Sequence, residues 1–257
     1  MDEKMMRKMN QRGQITIFII LALIIIVVIS MLFLVLRAPS PEIIDEENPQ
    51  AFIESCTKQA VEEALEILMP RGGDIIPKGS LMYYDLERTY LCYQENYYLP
   101  CINQRPLLIE HIENEINNYI EPRIANCFNI LESKLERRYT IETGGMQLQT
   151  KLSSGLISVD INKNFKMSRA EIVRNFDNFK VSMVHPIYEI AKVASEIVNM
   201  EAKFCNFDIL GFMIFYPRFD LDKFRPGNGN VIYKINDVAT DEEFMFAIRS
   251  CALPPGF

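Results

Sequence analysis

The sequence predicts an α+β protein, an N-terminal transmembrane helix followed by an ectodomain of helices packed on antiparallel β-sheet. Three patterns predict it. Ile15 to Leu36 form an uncharged apolar run in which only Thr16 and Ser30 are polar. Beyond it, several segments carry apolar residues at helical spacing, and from Tyr139 the period changes to two, the spacing of a strand with one covered face.

As a helix, the 22 residues from Ile15 to Leu36 reach roughly 33 Å, enough for a hydrocarbon core of about 30 Å. The run is too long for the apolar core of a secretory signal, and no small-x-small cleavage site follows it. A globular core helix would have to be apolar on every face, so a membrane helix over 14–37 is expected. Lys4, Arg7, Lys8 and Arg12 precede the run, and Glu42, Asp45, Glu46 and Glu47 follow it. The positive-inside rule then places the N-terminus in the cytoplasm and the rest outside, as a single-pass cell-membrane protein.

Residues 1–37 hold five basic and two acidic groups, net +3, so the total of −7 leaves −10 for 38–257. That balance gives no support for nucleic-acid binding. Pro39 and Pro41 close the apolar helix, and 38–48 read as an acidic linker. The domains expected are thus a leader over 1–13, the helix over 14–37, the linker, and one extracellular α+β domain over 49–257.

Asn48 and Pro49 open the first helix of that domain as N-cap and first helical residue, and Pro70 with Gly72-Gly73 closes it. Its apolar face holds Ile53, Cys56, Ala60, Ala64, Ile67 and Leu68. The tyrosine-rich stretch "SLMYYDLERTYLCYQENYYLPC" reads as strands or an ordered extended segment. A second helical face runs through Leu108, Ile112, Ile116, Ile120, Ile124, Cys127 and Leu131, with Pro122 expected to kink or interrupt it. His111 falls off that face and reads as solvated. Ile157, Val159 and Ile161, then Phe179, Val181 and Met183, alternate with polar residues as in an antiparallel meander. Gly144-Gly145 marks a turn or a bulge. A third helix begins at Pro186. "FMIFYPRF", "NVIYKINDV" and "EFMFAIRSC" read as strands, with Asn228-Gly229 as the turn between the first two.

All six cysteines, Cys56, Cys92, Cys101, Cys127, Cys205 and Cys251, lie beyond the apolar run. An even count suggests disulfides, although buried free thiols are the competing reading, and spacing alone does not choose among connectivities. Cys92 and Cys101 enclose a short loop that suits a local bridge. Cys56 and Cys127 both sit on apolar helix faces, which suits a helix-to-helix bridge.

Catalytic, cofactor and metal residues are not nominated, and no cofactor is expected. His111 and His185 are the only histidines. His185, just before Pro186, suits capping or packing. There is no H-x-x-x-H, C-x-x-C, G-x-S-x-G or phosphate-cradling glycine loop. "DLDKFRPGNGN" begins like a calcium loop, but Phe224 occupies the third ligand slot, so a solvated hairpin loop is the reading. The stretch that stands out is aromatic. Tyr83, Tyr84, Tyr93, Tyr97 and Tyr98 are an interface candidate, because tyrosine supplies contact area at small entropy cost. The alternative is strand residues packed against a helix.

The junction Arg12-Gly13-Gln14, directly before Ile15-Thr16-Ile17-Phe18, resembles an archaeal class III, prepilin-type signal. The resemblance covers about 25 residues of 257 and implies cleavage between Gly13 and Gln14 by a prepilin peptidase. The helix Ile15–Leu36 would stay on the mature subunit as an assembly stem. Phe18 stands where bacterial pilins typically carry Glu. A pilin-like or minor-pilin-like surface subunit, or an adhesion or envelope-interaction module, is therefore the expected function, without enzymatic activity. Its partners would be the membrane, the peptidase, and like subunits or other envelope proteins. A permanently anchored extracellular binding protein that forms no filament is the alternative, and an anchored extracellular hydrolase the third.

Overall fold

The computed structural model describes residues 19–26 and 48–252, and the chain divides into two compact units, Met1–Ile44 and Asp45–Phe257. In the first unit a helix, α1, is described over 19–26. Among the described residues no helix is long and apolar enough to cross a membrane. The expected transmembrane helix is thus corrected. Apolar composition favours dry surroundings, whereas crossing a bilayer also requires one continuous helix of about 20 residues.

The single-pass topology, the cytoplasmic N-terminus and the extracellular placement lose the helix on which they rest. So do the membrane, peptidase and like-subunit partners, together with the pilin-like, anchored-binding and anchored-hydrolase readings. Ile15, Phe18, Leu36 and the Gly13–Gln14 junction lie outside the described residues.

In the second unit, α2 runs Pro49–Leu68. The Asn48 side chain accepts the Ala51 N–H at 3.2 Å, which satisfies one of the free donors at the helix start. A 3₁₀ turn, Met69–Arg71, ends in Gly72 at φ +73°. Strands β1 (Ser80–Tyr83) and β2 (Leu86–Tyr93) form a hairpin whose two-residue turn is Tyr84-Asp85, both at positive φ, and β3 is the short pair Ile102–Asn103.

Helix α3, Leu108–Leu135, contains Pro122 and is not interrupted by it. Ile112, Ile116, Ile120 and Ile124 are fully buried, and burying each such side chain contributes about 1.5–3 kcal/mol. That row holds the helix against α2 and β4 despite the hydrogen bond proline removes.

Strands β4 (Thr140–Ser153), β5 (Leu156–Arg169) and β6 (Ile172–Val184) make a three-stranded antiparallel sheet. Its register shifts between Thr143 and Met146, so Gly144-Gly145 is a bulge rather than a turn. Ile157, Val159, Ile161, Phe179 and Val181 form its buried face. Helices α4 (Ile187–Phe204) and α5 (Ile209–Phe215) follow, then β7 (Phe219–Gly227), β8 (Asn230–Asp237) and β9 (Glu242–Arg249). The strand expected over "FMIFYPRF" is corrected. Its first half is the end of α5, nucleated when Asp208 accepts the Gly211 N–H at 3.1 Å, and β7 starts only at Phe219.

The second sheet runs β1-β2-β9-β8-β7, with β3 on β2. Its β2–β9 pair is parallel, so this sheet is mixed where an antiparallel one was expected. The two strands enter from opposite ends of the domain sequence, and no hairpin fixes their relative direction.

Disulfides join Cys56 to Cys127, Cys92 to Cys101 and Cys205 to Cys251. The first links α2 to α3. The other two close around one end of the mixed sheet.

Candidate functional site

That end of the sheet is built from β2, β9 and the loop they carry. The register between them shifts at Leu91: Tyr90 pairs with Ala247, while Cys92 pairs with Ile248. A bulge inserts one residue and reverses the side-chain phase beyond it. Tyr90 and Tyr93, which simple alternation would place on opposite faces, come edge to face with ring centroids 4.9 Å apart. Leu91 and Cys92 both stay buried.

The loop from Tyr93 to Cys101 is closed by the Cys92–Cys101 bond and tied along its length to the C-terminal end of β9. Gln94 N–H donates to Arg249 O at 3.0 Å and Tyr98 N–H to Ala252 O at 3.2 Å. Leu99 O accepts from Cys251 N–H at 2.9 Å, and Cys101 N–H donates to Ser250 Oγ at 3.0 Å. Arg249 is the hub. Its Nη1 donates to Gln94 O and, at 2.6 Å, to Glu95 O. Its guanidinium lies 5.8 Å from the Tyr93 ring centre and 5.4 Å from that of Tyr97, within the range of a cation–π contact. Cys251, two residues on, is bonded to Cys205 at the C-cap of α4, so the anchor of the loop is itself anchored.

On this frame Tyr93, Tyr97, Tyr98 and Leu99 face solvent, with Tyr98 at 55% exposure. Of the five tyrosines nominated from the sequence, the structure brings these three together. Tyr83 and Tyr84 sit at the other end of β2, where they touch each other and Tyr83 approaches Phe224. An eight-residue strand puts roughly 20 Å between the two groups.

Beside Tyr93 the surface dips into a cavity of about 280 Å³ lined by Lys78, Ser80, Tyr90, Tyr93, Gln104 and Arg105. Arg105 is held at its wall by a buried clasp. Gly72 and Gly73, at φ +73° and +91°, turn the chain tightly between sheet and α3. A Cβ on Gly73 would stand 3.0 Å from Ile112 Cγ1, so the turn fits only as glycine. The next residue, Asp74, is 2% exposed. Its Oδ2 accepts from Thr89 Oγ1 at 2.7 Å and lies 3.4 Å from Arg105 Nη2, and its Oδ1 contacts His111 Nε2. Burial works to raise the Asp74 pKa. The hydrogen bonds from His111 and Thr89, with the charges of Arg105 and His111, outweigh it and hold the carboxyl below its ordinary range.

His111 is thus half-buried and engaged, not solvated as its place off the α3 face suggests. Asp74, His111 and Glu115 bring three ligand atoms within 4.8 Å of one another. Glu115 Oε2 already accepts the Ile75 N–H at 2.8 Å, and the Arg105 cation sits against Asp74. A metal would have to displace that guanidinium, so the trio reads as a clasp.

A second concavity, about 460 Å³, lies between α2, the end of β6 and the start of β9. Glu62, Glu66, Glu242 and Glu243 rim it, with Leu65, Met69 and Met183 on its apolar side. His185 Nδ1 accepts the Ile187 N–H at 3.1 Å, a capping role, and its Nε2 stands 3.6 Å from Glu242. Burial pushes His185 below its ordinary pKa against the pull of Asp237 and Glu62. Desolvation and the nearby Asp237, Asp241 and Glu66 push Glu242 up.

No family model, curated protein or solved structure matches the chain. The pilin and prepilin-signal terms therefore gain no support, and the site stands on its geometry. Reading the sequence finds the tyrosines but misses Arg249, Arg105, Gln104 and Lys78. Each is an ordinary surface residue in isolation, and only the β2–β9 pairing and the Gly72-Gly73 turn gather them.

Proposed function

We propose that the protein is a non-catalytic recognition module whose binding surface is the loop Tyr93–Cys101 with the adjoining cavity. The observation that carries this is pre-organisation. Three exposed tyrosines stand on a segment fixed by a disulfide, three backbone hydrogen bonds, a fourth to the Ser250 hydroxyl, and an arginine hub. Binding through ordered groups avoids the cost of immobilising them, about 0.5–1.5 kcal/mol per flexible side chain and more for a loop. Aromatic residues on rigid frames are characteristic of paratopes and interface anchors.

The absence of enzymatic activity is part of the proposal. Its support is that His111 is taken up by Asp74 and that His185 Nδ1 caps α4.

The test is fragment mapping by NMR. A set of small neutral, anionic and cationic fragments is titrated into the isotope-labelled full chain. Shift changes clustering at residues 78–80 and 90–104 are expected. Clustering elsewhere, or scattered weak changes, would overturn the reading.

A further inference from the structure

The chemistry of the cavity wall selects among ligands. Its polar groups are two cations, Lys78 and Arg105, the Gln104 amide and the Ser80 hydroxyl, which donates to Glu87 behind the wall at 3.1 Å, and no carboxylate lines it. Tyr90 and Tyr93 supply ring surface. Among the described residues Lys78 has no carboxylate within ion-pair distance, and neither does Arg249 on the other side of Tyr93. Arg105 is the cation already matched, by Asp74. Two uncompensated cations flanking an aromatic surface, in a chain of net charge −7, are a local reversal of sign.

We propose that the cavity takes the carboxylate-bearing ring of an acidic saccharide, with neighbouring rings laid along Tyr93 and Tyr97. This inference rests on the recognition reading above. The carboxylate answers the charge of Lys78. Gln104 Nε2 is spent on Ile102 O at 2.8 Å, which leaves its carbonyl oxygen to accept from a sugar hydroxyl. The C–H face of a pyranose packs on the tyrosine rings.

An aromatic carboxylate would satisfy the charge and the stacking. It would also desolvate the Gln104 carbonyl oxygen without pairing it, which is costly for a polar group. The cavity, at about 280 Å³, is near the lower end of ligand sites and suits a single ring.

The experiment is calorimetric and NMR titration of the full chain with trigalacturonate, its fully methyl-esterified form, and both again on Lys78→Met, Lys78→Arg and Tyr93→Ala. The acid is expected to bind about tenfold or more tightly than the ester, as befits a lost charge-assisted bond. The preference should shrink in Lys78→Met, return in Lys78→Arg, and fall as salt rises from low to physiological ionic strength. Tyr93→Ala should weaken acid and ester alike. Lys78 is exposed, so its variants keep the fold. Equal binding of acid and ester, lost in Tyr93→Ala, would overturn the acidic ligand while leaving the recognition surface standing. No binding of either, with fragments still clustering at the loop, would overturn the saccharide alone. Fragments that do not cluster there would remove the recognition reading itself.

Discussion

Replacing Arg249 with methionine should unlock the tyrosine loop without unfolding the domain. The methionine keeps most of the side-chain stem and deletes the guanidinium. Lost with it are two hydrogen bonds from a charged donor to the Gln94 and Glu95 carbonyls and the stacking on Tyr93 and Tyr97. A hydrogen bond to a charged group is worth about 1.5–3 kcal/mol where water is excluded. Both carbonyls lie near the surface, where water replaces much of the lost bonding, so the net cost of loop opening is about 2 kcal/mol. That corresponds to roughly thirtyfold faster opening-limited exchange.

Amide hydrogen exchange reads it directly. The Tyr98 and Cys101 amides, bonded to Ala252 O and Ser250 Oγ, should lose about thirtyfold protection. The amides of Ile116 and Ile120 in α3 should be unchanged. Arg249→Lys keeps the charge but not the planar guanidinium against Tyr93 and Tyr97, so it should fall between. Unchanged protection at Tyr98 and Cys101 in Arg249→Met would refute the hub assignment.

Other outcomes follow from the same geometry. Gly73→Ala forces a side chain into a positive-φ position 3.0 Å from Ile112 and should cost about 2–4 kcal/mol, on the order of 10 °C in melting temperature. A variant melting with the wild type would contradict the close approach. Among the disulfides, the chain-entropy relation gives about 4.4 kcal/mol for Cys56–Cys127, with separation 71, and about 2.6 kcal/mol for Cys92–Cys101, with separation 9. Paired alanine replacement should therefore lower the melting temperature more at the first pair, and the reverse order would refute it.

His185, held below its ordinary 6.5, contributes stability that is complete above about pH 6.5 and is lost as pH falls through the lowered folded value. Asp74, held below 3.8, adds stability that is complete above that value and is lost further into acid. Urea unfolding at pH 7.5, 5.5 and 3 should show both losses. His185→Gln should remove the first and Asp74→Asn the second.

How much of this was legible in the sequence depends on the range of the interaction. The row Ile112, Ile116, Ile120 and Ile124 announces α3, and Asn48-Pro49 announces the start of α2, because periodicity and capping are local. Asn228-Gly229 likewise marks its hairpin from two residues. The run from Ile15 to Leu36 shows where locality misleads, since composition and count meet the requirement for spanning while among the described residues no helix is long and apolar enough to cross a membrane.

At the site the deciding contacts are distant in sequence. Arg249 reaches Gln94 across 155 positions, and Asp74 meets His111 across 37. The Leu91 bulge that brings Tyr90 beside Tyr93 exists only against β9. Tyrosine content marked the segment, but the sequence has no sign that Tyr83 and Tyr84 belong to another surface.

The central claim is that the tyrosine loop is ordered before anything binds. Backbone ¹⁵N relaxation of the free full chain measures it directly. Order parameters for residues 94–101 near about 0.85, like those of β2 and β9, are the result predicted. Values below about 0.6 across those residues would mean a flexible loop and would contradict the account.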